Sequence, residues 1–535
     1  MHCLSDQYRV NWKGVLLPIA GGAVISVVAA LLLWSLKPIW VALIIVGSLA
    51  FLPALLVKDS RVYWLALFLF LLPLGLNKML GTQARVDDVL EKVGGTWGYT
   101  TIIIQLTDII LIILIGMWGV RHWKEKRQFY FPKISYLPLG YLLWATLGVW
   151  FAPYPELSVF ELLREYKYYV FYLFIINNVD LRKMSKTIIA VLLLSLFTQG
   201  AITIAKYKSQ NVENIFLSLG FGQAPTSDDD DESEKYRFES VAEGSTEDKK
   251  RAVGTLPHPT GTAMHLELIL PLALTLFLAG RKNKGNGNAK VKWLYLSIFL
   301  VGAVALYTTF SRGGMLGFLF STIVCVSVLA LRGLLPKTFI VWGLCVAAML
   351  APVASYKLHG YLTTRPEYSS LHVEHIKIGI AMLQINPIMG VGLNNTSFFR
   401  PDFTPGGESE LERALPIHSH YLLGLIETGI VGFGLYCMFF IRVMIEAFRW
   451  SRSSDFYTAT LAISILGAYS ALAIHVIADY AGADALQTMF WLYAGLIVAL
   501  RRKEPDALPI SPIPQSAHAH QRSIRLGTVS KASRI

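Results

Sequence analysis

The chain has 535 residues, of which 54% are hydrophobic and only 16% charged, with a mean hydropathy of +0.49. Soluble globular chains are nearer one quarter charged, and disordered chains combine low hydrophobicity with high net charge, so both classes are excluded. Basic residues outnumber acidic ones 48 to 36, a net +12 that must be traced along the chain before it is taken as a nucleic-acid footprint. The four cysteines (Cys3, Cys325, Cys345 and Cys437) have no paired spacing and indicate neither a disulfide framework nor a zinc site.

A helix needs about 20 apolar residues to cross the hydrocarbon core. In chain order that ruler predicts about fourteen spans, at 14–34, 38–57, 62–79, 100–120, 134–152, 166–178, 187–205, 262–279, 293–310, 313–331, 338–356, 421–442, 455–477 and 484–500. The sixth is short and opens in the amphipathic stretch Glu161–Tyr169. Barrel-type alternation is missing, so the expected fold is an all-α polytopic membrane protein. The first span lacks a small-residue cleavage site and reads as retained.

Lysine and arginine in short loops set orientation. With residues 1–13 in the cytoplasm, every alternate connection is basic: RHWKEKR, LRKMSK, RKNKGNGNAKVK and the RRK that opens the tail. The +12 is therefore mostly a topology signal, with both termini cytoplasmic and no nucleic-acid partner expected. The organisation that follows is an N-terminal bundle over 14–205, an outer loop over 206–261 with an acidic insertion, and spans over 262–356. A large outer loop over 357–420, the last spans over 421–500 and a polar tail over 501–535, expected to be disordered, complete the chain. No internal repeat of the transporter kind is visible.

Ionisable groups at a membrane edge point to function. Arg251 opens RAVGTLPHPTGTAMHLELILP, Arg312 lies in TTFSRGGMLGF, and His418 lies in LPIHSHYLLGLIETGIVG. The charge-based topology brings all three to the outer boundary. Guanidinium groups match phosphate oxygens with paired donors, and an imidazole can take a proton from a hydroxyl near neutral pH. The set suits an anchored diphosphate donor and a hydroxyl acceptor. Each piece also has a plainer reading: arginines snorkel and anchor spans, a histidine at a helix start caps it, and Gly313–Gly314 can be helix packing.

Other features carry less. The run Asp228–Asp231 lacks the glycine and terminal glutamate of a calcium loop, and His372, Glu374 and His375 lack metal-site spacing, so no metal is expected. Glu427, two turns into the twelfth span, fits a group paired inside the bundle. No phosphate-binding loop or dinucleotide pattern is present, so no cofactor is expected.

Together with INPIMGVGLNNTSFF, these three segments resemble, in order, the O-antigen ligase superfamily of ligases, polymerases and protein O-oligosaccharyltransferases. The likeness runs from about 250 to 510. It implies a GT-C-like glycosyltransferase of the bacterial inner membrane. Such an enzyme moves a glycan from undecaprenyl diphosphate to a lipid, glycan or protein acceptor on the periplasmic side, without metal. By position, His418 matches the family's proposed general base, Arg312 and Arg251 its diphosphate-holding arginines, and Tyr421, Glu427, Ser311 and Gly313 patterned places beside them. Departures exist: Ser419 follows the histidine where asparagine is common, and LHVEHIKI carries His372 or His375 where an arginine is expected, with Arg365 as its substitute. The alternative within the same chemistry is polymerisation of lipid-linked repeat units. Solute or lipid-glycan transport is disfavoured by the missing repeat.

Overall fold

The computed structural model describes residues 54, 57, 59–75, 77–80, 102–126, 128–218, 251–280, 289–336, 338, 376–396, 417, 419–477 and 479–503. The predicted first, second and eleventh spans, the acidic insertion, His372, His375, Arg365, His418 and the tail after Lys503 lie outside the described residues, apart from isolated positions in the second and eleventh spans.

Within them the chain runs through α1 (Ser60–Leu71), β1 (Asn77–Leu80), β2 (Ile102–Gln105), α2 (Leu106–Glu125), α3 (Tyr136–Gly148), α4 (Pro155–Asn178), α5 (Leu181–Lys208) and the short α6 (Gln210–Ser218). Then come α7 (Pro259–Ala279), α8 (Ala289–Thr308), α9 (Arg312–Leu331), α10 (His420–Trp450), α11 (Phe456–His475) and α12 (Asp484–Ala499). Eight helical segments among the described residues are long and apolar enough to cross a membrane, in agreement with the multi-span reading.

The mostly helical fold agrees with the all-α reading, to which β1 and β2 add a short antiparallel ribbon with Asn77 opposite Gln105 and Leu80 opposite Ile102. Three predicted span bounds need correction. The third span ends at Leu71, followed by a 3₁₀ turn through Pro73 and then Gly75 at φ 62°, rather than running to 79. The fourth begins at Leu106, not 100: Gln105 and Asp108 form a reciprocal capping box that starts the helix, and the isoleucines before it pair as a strand. The sixth span is longer than predicted, because the amphipathic stretch continues the helix back to Pro155.

Side chains decide which helices are central. Every residue of α7 from Thr262 to Leu276 is buried, as is every residue of α11 from Thr458 to Leu472 and nearly all of α12. The outer helices bury one face and expose Ile112, Leu143, Leu194, Leu300 and Leu316, as lipid-facing helices should. Small residues bring the centre together. A Cβ on Gly467 of α11 would meet Cys325 and Ser321 of α9, and one on Gly495 of α12 would meet Ile175 of α4 at 2.8 Å.

Alternating helix directions sort the connections to two ends. At the basic end, Arg332 donates to the Ser453 carbonyl at 2.8 Å, and Arg501 and Arg449 share the buried Glu446. The opposite end collects Pro73, Asp108, Tyr154, the 251–258 stretch, the turn before α9, the start of α10 and the turn after α11. An ionic cluster there joins three helices: Lys167 of α4 bridges Asp108 (3.1 Å) and Asp484 (2.8 Å), and Tyr168 also donates to Asp484.

Candidate active site

The stretch opening at Arg251 is tied down by its backbone. Ala252 N–H donates to the Thr308 carbonyl at 3.0 Å, and Arg251 Nε donates to the Thr309 carbonyl at 3.1 Å. Arg251 is thus held against the turn that leads into α9. Beneath it, the buried Lys206 Nζ donates to the Gly254 carbonyl at 2.8 Å, and the Gln199 amide brackets Thr255. Gly254 meets a steric need, since a Cβ there would lie 2.6 Å from Gln199 Oε1 and 3.0 Å from Thr203 Oγ1.

The SRGG turn is built the same way. Phe310 takes φ 49°, an uncommon left-handed value for a bulky residue. Ser311 then caps α9, its Oγ accepting from Gly314 N–H at 3.2 Å, and Arg312 is the first helical residue. The glycines give close approach: a Cβ on Gly313 would overlap the His475 ring, and one on Gly314 would meet Ala263 at 2.9 Å. A Cβ on Gly317 one turn on would lie 2.8 Å from the Ala471 carbonyl oxygen. Both glycines of the pair therefore serve close helix packing.

A buried polar chain lies behind the turn. His475 Nδ1 is hydrogen-bonded to Glu267 Oε1 at 2.9 Å, with both side chains wholly shielded from solvent. His475 Nε2 lies 3.4 Å from Ser311 Oγ and 3.7 Å from Asp479 Oδ2. One imidazole thereby links α7, the cap of α9 and the turn after α11. Burial works to raise the Asp479 carboxyl. The nearby His475 imidazole and a hydrogen bond from the Tyr480 N–H at 2.8 Å nonetheless hold it below the ordinary carboxylate value. Sequence reasoning overlooked Glu267, His475 and Asp479; the available signal was a carboxylate and an imidazole inside apolar spans.

The third predicted stretch meets the same turn. Ser419 caps α10, and His420 N–H is shared between the carbonyls of Val476 and Asp479, each at 3.1 Å. Tyr421 donates to the Ala473 carbonyl at 3.0 Å and so fastens α10 to α11. His418 itself is outside the described residues, between the described Ile417 and Ser419.

Glu427 accepts from Thr396 at 3.0 Å, the internal pairing expected of it. Gly429 breaks α10 at φ 63°, ψ −176°. The NPIMGVG segment fills the break: Val391 N–H donates to the Ile426 carbonyl at 2.9 Å, Gly392 N–H to Glu427 at 3.0 Å, and Ile430 N–H to Pro387 at 2.9 Å. Backbone lies directly on backbone, so Gly390 and Gly429 have no room for a side chain. Beside the break opens a cavity of about 70 Å³ whose walls include His420, Glu427, Glu161 and Glu165.

Residues 271–437 match a family model described as O-antigen ligase, which takes in the SRGG turn, NPIMGVG and the start of α10. Over that segment the chain is similar to the O-antigen ligase family. Arg251 precedes the matched segment, while His475 and Asp479 follow it, so the polar junction draws on residues from both sides. No curated protein matches the chain.

Proposed function

We propose that this multi-pass protein is an inner-membrane glycosyltransferase of the ligase type, with its site on the periplasmic side. It moves a glycan from undecaprenyl diphosphate to an acceptor hydroxyl. Arg251 and Arg312 hold the diphosphate and offset its developing charge. The His418 imidazole takes the acceptor proton as that oxygen attacks the anomeric carbon. The sugar–phosphate C–O bond breaks, and its electron pair leaves with the diphosphate.

One observation carries this reading. Arg251 is bonded to the backbone of the SRGG turn, and the residue two places after His418 is bonded to the turn that His475 joins to SRGG. Two guanidinium-bearing segments and the histidine-bearing segment therefore share one junction, opposite the basic end that the charge rule assigns to the cytoplasm.

The test is transfer by purified protein in nanodiscs supplied with undecaprenyl-diphosphate glycans and an acceptor fraction. Wild type should release undecaprenyl diphosphate and build a heavier glycoconjugate. His418→Ala should fall about 10²–10⁴-fold, the usual worth of general-base help, while keeping its elution profile. A fully active His418→Ala would refute the assignment. A product ladder rather than one addition would identify polymerisation.

A further inference from the structure

The cavity beside the α10 break differs in charge from the arginine-bearing turns. Its wall carries three carboxylates, and they stand differently. Glu161 is paired with Arg164 at 2.6 Å, Glu427 accepts from Thr396, and Glu165 has no hydrogen-bond or ion-pair partner among the described residues. Nearby, His420 Nδ1 is shielded from solvent and without a partner among the described residues. Tyr436 and Tyr480 flank that imidazole, with ring centres 6.2 and 5.7 Å away, and the Asn394 and Gln487 amides also line the cavity.

Such a wall sets carboxyl, amide and hydroxyl groups among apolar faces, with no lysine or arginine among the described residues that line it. An anionic phosphate would find no countercharge there; a ring bearing several hydroxyls would satisfy the Glu165 carboxyl and His420 Nδ1 and stack its carbon face on tyrosine. We infer that this cavity is a sugar subsite for the acceptor, taking a ring with hydroxyl or ammonium donors and no phosphate. The inference rests on the transferase reading above and extends it. His420 lies between the two regions, its N–H tied to the Val476–Asp479 turn on the arginine side and its ring in the cavity. Charge then sorts the substrates, with diphosphate on the arginine side of His420 and the acceptor sugar in the cavity.

Direct binding tests this without any turnover. Saturation-transfer NMR on the full-length protein in nanodiscs would use three probes: methyl glucoside, glucosamine and glucose 6-phosphate. The first two should give signals that weaken about tenfold in Glu165→Gln, the worth of one hydrogen bond to a charged group, and the phosphate should give none. Gln487→Ala supplies a second variant should Glu165→Gln elute as aggregate. Equal signals in wild type and both variants, or a phosphate sugar bound as well as the neutral one, would overturn the inference. Because binding is read separately from transfer, a protein that binds these sugars yet transfers nothing would sink the transferase reading and leave the subsite intact.

Discussion

Replacing His475 by alanine isolates the buried junction. Glu267 Oε1 has the imidazole as its partner at 2.9 Å, Oε2 has none among the described residues, and neither side chain reaches solvent. Removal of the imidazole leaves a carboxyl in an apolar bundle without compensation, and breaking one side of such a pair costs about 3–5 kcal/mol. Glu267→Gln keeps an acceptor for Nδ1 and should cost about 1 kcal/mol. The double replacement Glu267→Leu with His475→Leu removes both polar groups and should recover most of the lost stability. Unfolding in mixed micelles of rising SDS content, followed by the fluorescence of the 13 tryptophans, reads all three. If His475→Ala is as stable as wild type, or the double leucine variant is no better than the single alanine, the pair does not hold these helices together.

Gly313→Ala pushes a methyl into the His475 ring and should cost about 1–3 kcal/mol, with part recovered when His475 is also alanine; the same micelle titration reads it. Gly429→Ala meets both a left-handed φ and the Ile388 carbonyl, so it should elute largely as aggregate on size exclusion. Asp479 carries a lowered pKa in the fold, so its contribution is present above its unfolded value near 3.8 and is lost as pH falls through the folded one. Asp479→Asn should therefore lower the unfolding midpoint at pH 7 and flatten its fall below about pH 4, where wild type and variant converge, measured as unfolding midpoint against pH.

Much of the architecture was legible because spanning a bilayer needs long apolar runs, and α5, α7, α9 and α11 have them. The ribbon escaped because Ile102–Ile104 looks like the start of a span when read by hydropathy alone. The arginine-bearing stretches and the α10 start were legible as boundary charges, and each indeed reaches one junction. What organises that junction was not. Glu267 and His475 are 208 positions apart, and nothing local in either helix announces the other. Motif glycines were visible but their reasons were not, because Gly254, Gly313, Gly390 and Gly429 answer to neighbours remote in sequence. Glu161–Tyr169 reads in sequence only as an amphipathic stretch, and the fold is needed to bring Glu165 into the cavity beside α10.

The central claim is that Arg251 and Arg312, delivered by different segments, serve one diphosphate. Donor kinetics in nanodiscs with Arg251→Gln, Arg312→Gln and the double variant test it most directly. Each single change should lower kcat/KM for the lipid-linked donor by about tenfold or more while the acceptor KM stays within about twofold, and the double should fall to background. Wild-type donor kinetics in either single variant, with a changed acceptor KM instead, would contradict it.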